Sequence, residues 1–203
     1  MNRRDHWENV YAGRQSHELS WYQSDPTLSL ELVQATQVGN DARLLDVGGG
    51  TSLLIDRLIE RGYTRLGVLD ISGTALRASQ DRLGDAARTV EWLESDVLSF
   101  QPSHPWDLWH DRAVFHFLVD PADRRRYGES LCRSVPEGGH LIIATFGPDG
   151  PPQCSGLDTL RCSGDDIAAE IGPGVRLIEE RLEDHTTPSG LIQQFVYARL
   201  LRV

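Results

Sequence analysis

Short apolar runs and helically spaced apolar residues take turns along most of the chain. The runs at 43–47, 65–69, 88–93, 106–110 and 139–146 show little polar alternation, the pattern of strands buried on both faces of a parallel sheet. Between them apolar residues recur at intervals of three and four, most clearly Leu53, Leu54, Ile55, Leu58 and Ile59. The pattern predicts helices at about 52–62, 73–84, 121–135 and 164–171. Two further strands, 174–181 and 191–200, are joined by Asp184–Gly190, too short for a crossover helix, so they should be antiparallel. The expected fold is α/β: a seven-stranded sheet, mostly parallel with an antiparallel last strand, and helices on both faces. Ahead of it, residues 1–40 should form two helices. One carries Trp7, Val10 and Tyr11 on a single face, and the other carries Leu28, Leu30, Leu32 and Val33 and is ended by Gly39-Asn40. No repeat interrupts the pattern, so 1–203 reads as one domain with a helical part over 1–40 and a core over 41–203.

The stretch Asp46-Val47-Gly48-Gly49-Gly50-Thr51-Ser52 joins the first core strand to the first core helix. Glycines there permit a tight turn and close approach to a ligand, and free N–H groups and the helix dipole point into the turn. A dinucleotide fingerprint needs a third glycine where this chain has Leu53. Asp46 is also a poor neighbour for a pyrophosphate and a good one for a cationic head. The next strand ends in Asp70, twenty residues past Gly50, the spacing at which a carboxylate meets ribose hydroxyls. A cation near the first strand and a ribose near the second describe S-adenosylmethionine better than a nicotinamide dinucleotide.

Asp46-x-Gly48-x-Gly50 followed by Val68-Leu69-Asp70 resembles the S-adenosylmethionine-binding signature of class I methyltransferases, with Ser52 where a third glycine is often found. The resemblance implies a Rossmann-like fold and S-adenosylmethionine as cofactor, with S-adenosylhomocysteine as its product. On it, Asp46, Gly48, Gly49 and Gly50 would hold the methionyl part, Asp70 with Ile71 the ribose, and Asp96 with Val97 the adenine. Ser95-Asp96 after a strand is equally ordinary capping chemistry. The N-terminal helices would form a lid, with Trp7, Tyr11, Trp21 and Tyr22 lining it and Trp21 against the cofactor; each could equally be a packing anchor.

Trp109-His110-Asp111-Arg112-Ala113 falls where strand order should reverse, facing the methyl group. It resembles thiopurine methyltransferases, which carry Trp-Asp-Arg-Gly there, and a group of lysine methyltransferases with Asp-Lys-Gly, matched by Asp111-Arg112-Ala113. Asp111 is the candidate to position the acceptor, and His110 or His116 to take its proton; His116 could instead be a structural histidine among Phe115 and Phe117. The expected acceptor is a small molecule with a nucleophilic sulfur, nitrogen or oxygen, and a protein lysine is the alternative. The Gly/Pro-rich loop 147–157 should wall the acceptor; its Cys154, like His185 further on, is either at the site or structural.

Composition narrows the partners. A formal net charge of −10 argues against a nucleic-acid backbone. No apolar run is long enough to span a bilayer, and the charged start Met1–Trp7 does not read as a signal peptide. Three cysteines without metal-type spacing predict no metal site and a reducing, cytoplasmic setting, with a monomer favoured. All 20 basic residues are arginine, which removes a P-loop lysine, a Schiff-base lysine and a lysine base. An NAD-linked oxidoreductase and a non-catalytic cofactor sensor are the rivals from other classes.

Overall fold

The computed structural model describes residues 2–203. α1 (Arg3–Gly13) opens the chain and α2 (Thr27–Ala35) follows a single 3-10 turn. Then come β1 (Arg43–Val47), α3 (Leu54–Glu60), β2 (Arg65–Asp70), α4 (Gly73–Leu83), β3 (Val90–Glu94) and β4 (Leu108–Arg112). α5 (Pro121–Ser134) and β5 (His140–Phe146) complete the parallel part. A small hairpin, β6 (Gln153–Cys154) and β7 (Leu157–Asp158), precedes α6 (Gly164–Ile171), and the long pair β8 (Val175–Thr186) and β9 (Ile192–Arg202) ends the chain. The seven-stranded sheet has the order β3-β2-β1-β4-β5-β9-β8, with β9 antiparallel to both of its neighbours. Chain order therefore reverses between β1 and β4, which is where open α/β sheets bind ligands.

The strands are apolar because the sheet is covered on both faces. Leu45, Val47, Trp109, Leu141 and Ile143 pack on one side with α5 and α6 residues such as Tyr127, Leu131 and Ile167. Leu44, Leu108, Ile142 and Ala144 pack on the other with α2 and α3 residues such as Leu30, Leu32, Leu54 and Leu58. The alternation assigns every β1 and β4 side chain to one face or the other.

All seven strands lie near their expected places, and the boundaries differ for local reasons. α3 begins at Leu54 rather than 52, because Ser52 stays in the glycine turn and its Oγ accepts the Leu54 N–H at 3.1 Å. β4 starts at Leu108 rather than 106 and runs on to Arg112, since the Trp106 N–H turns away to the Ser134 carbonyl. α2 stops at Ala35, well short of Gly39, and Gln37 takes φ +60°. The hairpin β6–β7 inside the Gly/Pro-rich loop was not expected. Only the first turn of α2 reaches the ligand-binding end; Leu30, Leu32 and Val33 are core residues.

Candidate active site

β1 delivers the glycine turn and β2 delivers Asp70, side by side at the carboxyl end of the sheet. Gly48 and Gly50 take φ of +65° and +44°. A side chain is also excluded by packing: a Cβ on Gly48 would overlap Val114, and one on Gly50 would lie 2.5 Å from the Tyr11 hydroxyl and 3.0 Å from Asp70 Oδ2. Asp70 is buried and accepts the Ser72 N–H at 2.8 Å, while Ser72 Oγ caps α4 by accepting from Ala75 N–H. Burial pushes the Asp70 carboxyl up to about 7, with Asp46 and Glu8 reinforcing it and the Ser72 and Gly50 amides opposing.

Two adjoining cavities open at this turn. The first is a cleft open to solvent at its mouth. The sheet side of its wall is Gly48, Asp70, Ile71, Asp96 and Val97, and the N-terminal side is Arg3, Trp7, Tyr11 and Trp21. The second holds Asp46, Gly48, Gly49, His110, Ser29 and Tyr22. Gly48, Trp21 and Arg112 border both.

Asp46 and His110 are register partners on adjacent strands, so their side chains stand together on one face. His110 Nδ1 donates to Asp46 Oδ1 at 2.7 Å, and its Nε2 meets Ser29 Oγ at 2.9 Å. Asp46 Oδ2 is buried with no hydrogen-bond partner.

The next residue points the other way. Asp111 lines neither cavity; it is fully buried, accepting from the Tyr127 hydroxyl at 2.6 Å and the Val114 N–H at 2.9 Å. Burial raises its carboxyl to about 6, against the Tyr127 hydrogen bond. The expectation that Asp111 faces the methyl group is corrected here: strand alternation sends it into the opposite core. His116 is no base either. It is sealed among Phe117, Phe146 and Phe195, and burial lowers its pKa to about 3. Cys154 is buried 3.9 Å from Ser20 Oγ, and burial raises its thiol, the opposite of activation.

Arg112, again on the cavity face, was not singled out by its sequence. Its Nε donates to the Tyr197 hydroxyl and its Nη1 to the Trp21 carbonyl, both at 2.8 Å. The segment carrying Trp21 is further held by His185 Nε2, 2.7 Å from the Ser20 carbonyl, and by Gln23 Nε2 donating to Glu183 at 2.9 Å. α1 has no buried residue and is held down by Arg3 to Asp123 and Arg4 to Glu94 ion pairs. Its aromatic rings close over the first cavity, with Trp7 5.0 Å from Phe117 and 5.9 Å from Trp21 between centroids.

The structure thus gathers Gly48, Asp70, Ile71, Asp96, Val97 and Trp21 around one cavity and Asp46, Gly49 and His110 around the next. Gly50 lines neither but underlies Tyr11 and Asp70. Among the described residues, no helix is long and apolar enough to cross a membrane.

Residues 44–139 match the family model described as a methyltransferase domain. The trans-aconitate 2-methyltransferase of Rhizobium etli is 33% identical over 135 residues, 66% of this chain and 50% of that protein. Malonyl-[acyl-carrier protein] O-methyltransferase 1 of Ilyobacter polytropus is 27% identical over 105 residues, 51% of this chain and 38% of that protein. The chain thus spans half or less of the length of these curated relatives. In fold it resembles the N-methyltransferase NodS of Bradyrhizobium japonicum, solved with S-adenosylhomocysteine, at TM-score 0.74, 14% identity and 99% coverage of both chains.

Proposed function

We propose that the chain, whose residues 44–139 match the methyltransferase-domain model and whose fold is that of class I methyltransferases, transfers a methyl group from S-adenosylmethionine to a small-molecule acceptor. The observation that carries the reading is the meeting of three features at the sheet's switch point. They are a glycine turn no side chain would fit, a buried Asp46 oxygen without a partner, and a buried Asp70 beside Asp96 and Val97. An ammonium suits Asp46 Oδ2, ribose hydroxyls suit Asp70, and an adenine would lie along the wall formed by Ile71 and Val97, with Asp96 to accept from its amine. When bound, the sulfonium supplies a ready leaving group, so the protein's part is to align the acceptor and exclude water. Trp7, Tyr11 and Trp21 serve the second of these.

A protein lysine as acceptor drew its support from the Asp111-Arg112-Ala113 triplet, of which Arg112 and Ala113 line the first cavity and Asp111 does not reach it. The three unpaired cysteines fit a reducing, cytoplasmic compartment. The test uses S-adenosylmethionine with a labelled methyl group, the purified chain and a bacterial extract separated by size. Label in the small-molecule fraction is expected, and Asp70→Ala should abolish both cofactor binding and transfer. Label confined to protein bands would restore the lysine reading. Cofactor binding with no transfer to any fraction would make the chain a sensor.

A further inference from the structure

We infer, resting on the methyltransferase reading above, that the acceptor is a carboxylate held by the Arg112 guanidinium at the end of β4 and methylated on oxygen. Arg112 walls both cavities next to Ala113, at the point where the acceptor must meet the cofactor. Its side chain is 10% exposed and its plane lies over the Phe195 ring, 4.4 Å from the centroid. Tyr197 and the Trp21 carbonyl take Nε and Nη1, which fixes the group's orientation. Nη2 is buried with no hydrogen bond; Glu183 Oε2 is 3.6 Å away, outside hydrogen-bond reach, and already accepts from the Tyr197 hydroxyl at 3.0 Å. Glu183 offsets the charge without using those donors. A planar, oriented guanidinium whose Nη2 has no hydrogen-bond partner matches a carboxylate oxygen, and it repels a lysine ammonium.

The rest of the wall agrees. An amine, alcohol or thiol must lose a proton on methylation, and the carboxylate and imidazole groups of the walls are already committed. Asp46, Asp70 and Asp96 face the places proposed for the cofactor, His110 has both nitrogens engaged, and Tyr11 is half-buried with its hydroxyl pushed well above the ordinary range. A carboxylate has no proton to lose. One of its oxygens attacks the methyl carbon, the C–O bond forms as the C–S bond breaks, and the electron pair stays on sulfur. The products are a methyl ester and a neutral thioether, and no proton moves.

The test incubates the full chain with methyl-labelled S-adenosylmethionine and the small-molecule fraction of a bacterial extract, then treats the product with mild alkali. Esters release their label as volatile methanol, which is the expected result. Label that stays on nitrogen, sulfur or an ether oxygen overturns the carboxylate and leaves methyl transfer standing. No label in any fraction withdraws both. With an acceptor isolated, Arg112→Gln, checked for native circular dichroism, should lower its kcat/KM roughly 10- to 100-fold, with S-adenosylhomocysteine affinity held within about threefold. Arg112→Lys, which keeps the charge without the fork, should recover part of the loss. An equal fall in S-adenosylhomocysteine affinity would give Arg112 to the cofactor's own carboxylate and overturn the assignment. If Arg112→Gln does not fold, the alkali test decides alone.

Discussion

If Asp70 holds the cofactor's ribose as proposed, cofactor binding should weaken as pH falls. Burial holds its carboxyl at about 7 in the ligand-free protein, so near neutrality it is only partly ionised. Ribose hydroxyls donate hydrogen bonds, and the ionised form accepts them, so binding selects the deprotonated state and releases a proton. A group with a pKa of about 7 is about 90% ionised at pH 8 and about 10% at pH 6. S-adenosylhomocysteine should therefore bind about ninefold more weakly at pH 6 than at pH 8, roughly 1.3 kcal/mol, and the deficit should deepen about tenfold for each further pH unit. Calorimetric titration in two buffers of different ionisation enthalpy reads both the affinity and the released proton.

The same shift has an opposite consequence for the empty protein. A carboxyl whose folded pKa is raised from 3.8 to about 7 contributes stability that is full below about pH 4 and is lost as pH rises through about 7. Asp70→Asn removes the buried charge beside Asp46 and Glu8 and keeps an acceptor for the Ser72 N–H. At pH 8 the ligand-free variant should be more stable by about 1 kcal/mol or more, about 2–4 °C in Tm, and the gain should shrink as pH falls and vanish only below about pH 4. It should bind the cofactor weakly, with no slope between pH 6 and 8. Wild-type affinity that is flat over this range, or a variant that keeps the slope, would refute the reasoning, because the proton would then belong to another group.

Four substitutions test the rest of the site. Gly50→Ala places a methyl against the Tyr11 hydroxyl at φ +44° and should cost about 1–3 kcal/mol in urea unfolding and displace the N-terminal aromatics from the cavity, seen as a change in tryptophan fluorescence. His110→Ala leaves Asp46 without a partner on either oxygen and should cost about 2–4 kcal/mol by the same assay. Asp111→Asn should cost about 1–3 kcal/mol while both KM values hold within about twofold; lost kcat at native stability would return Asp111 to the reaction. Ala113→Gly relieves a left-handed φ of +72° and should raise stability by about 0.5–1 kcal/mol in the same titration.

The parts of the fold that were legible in the sequence are those set by local pattern. Apolar runs marked the strands because both sheet faces are covered, and the short Asp184–Gly190 link marked the antiparallel pair. The placement of the glycine turn and Asp70 was legible because it follows from backbone conformation and spacing along consecutive elements. What depends on distant pairing was not legible. The β6–β7 hairpin rests on two short strands whose pairing no periodicity announces. Ser29 meets His110 across 81 positions, and Ser20 meets His185 across 165, so neither shows in any window. β4 was misread for a related reason. Ending the strand at His110 leaves Asp111 in a loop, free to face the site; the ladder actually continues until Arg112 pairs with Ala144. Two more residues of strand put His110 and Arg112 on one face and Asp111 on the other.

That alternation explains why a central strand can carry three polar residues in a row. Each finds partners on its own face: His110 with Asp46 and Ser29, Asp111 with Tyr127 and the turn amides, Arg112 with Tyr197 and Trp21. Two buried polar atoms of the cavity walls lack a hydrogen bond, Asp46 Oδ2 and Arg112 Nη2, and they carry opposite charge. A fold maintained for stability alone would gain by pairing or replacing them, since each costs about 1–3 kcal/mol left as it is. They stand in walls that share Gly48, so one bound pair of molecules can meet both, a cation at Asp46 and an anion at Arg112. The cost carried by the empty protein then returns as affinity and orientation when the site fills.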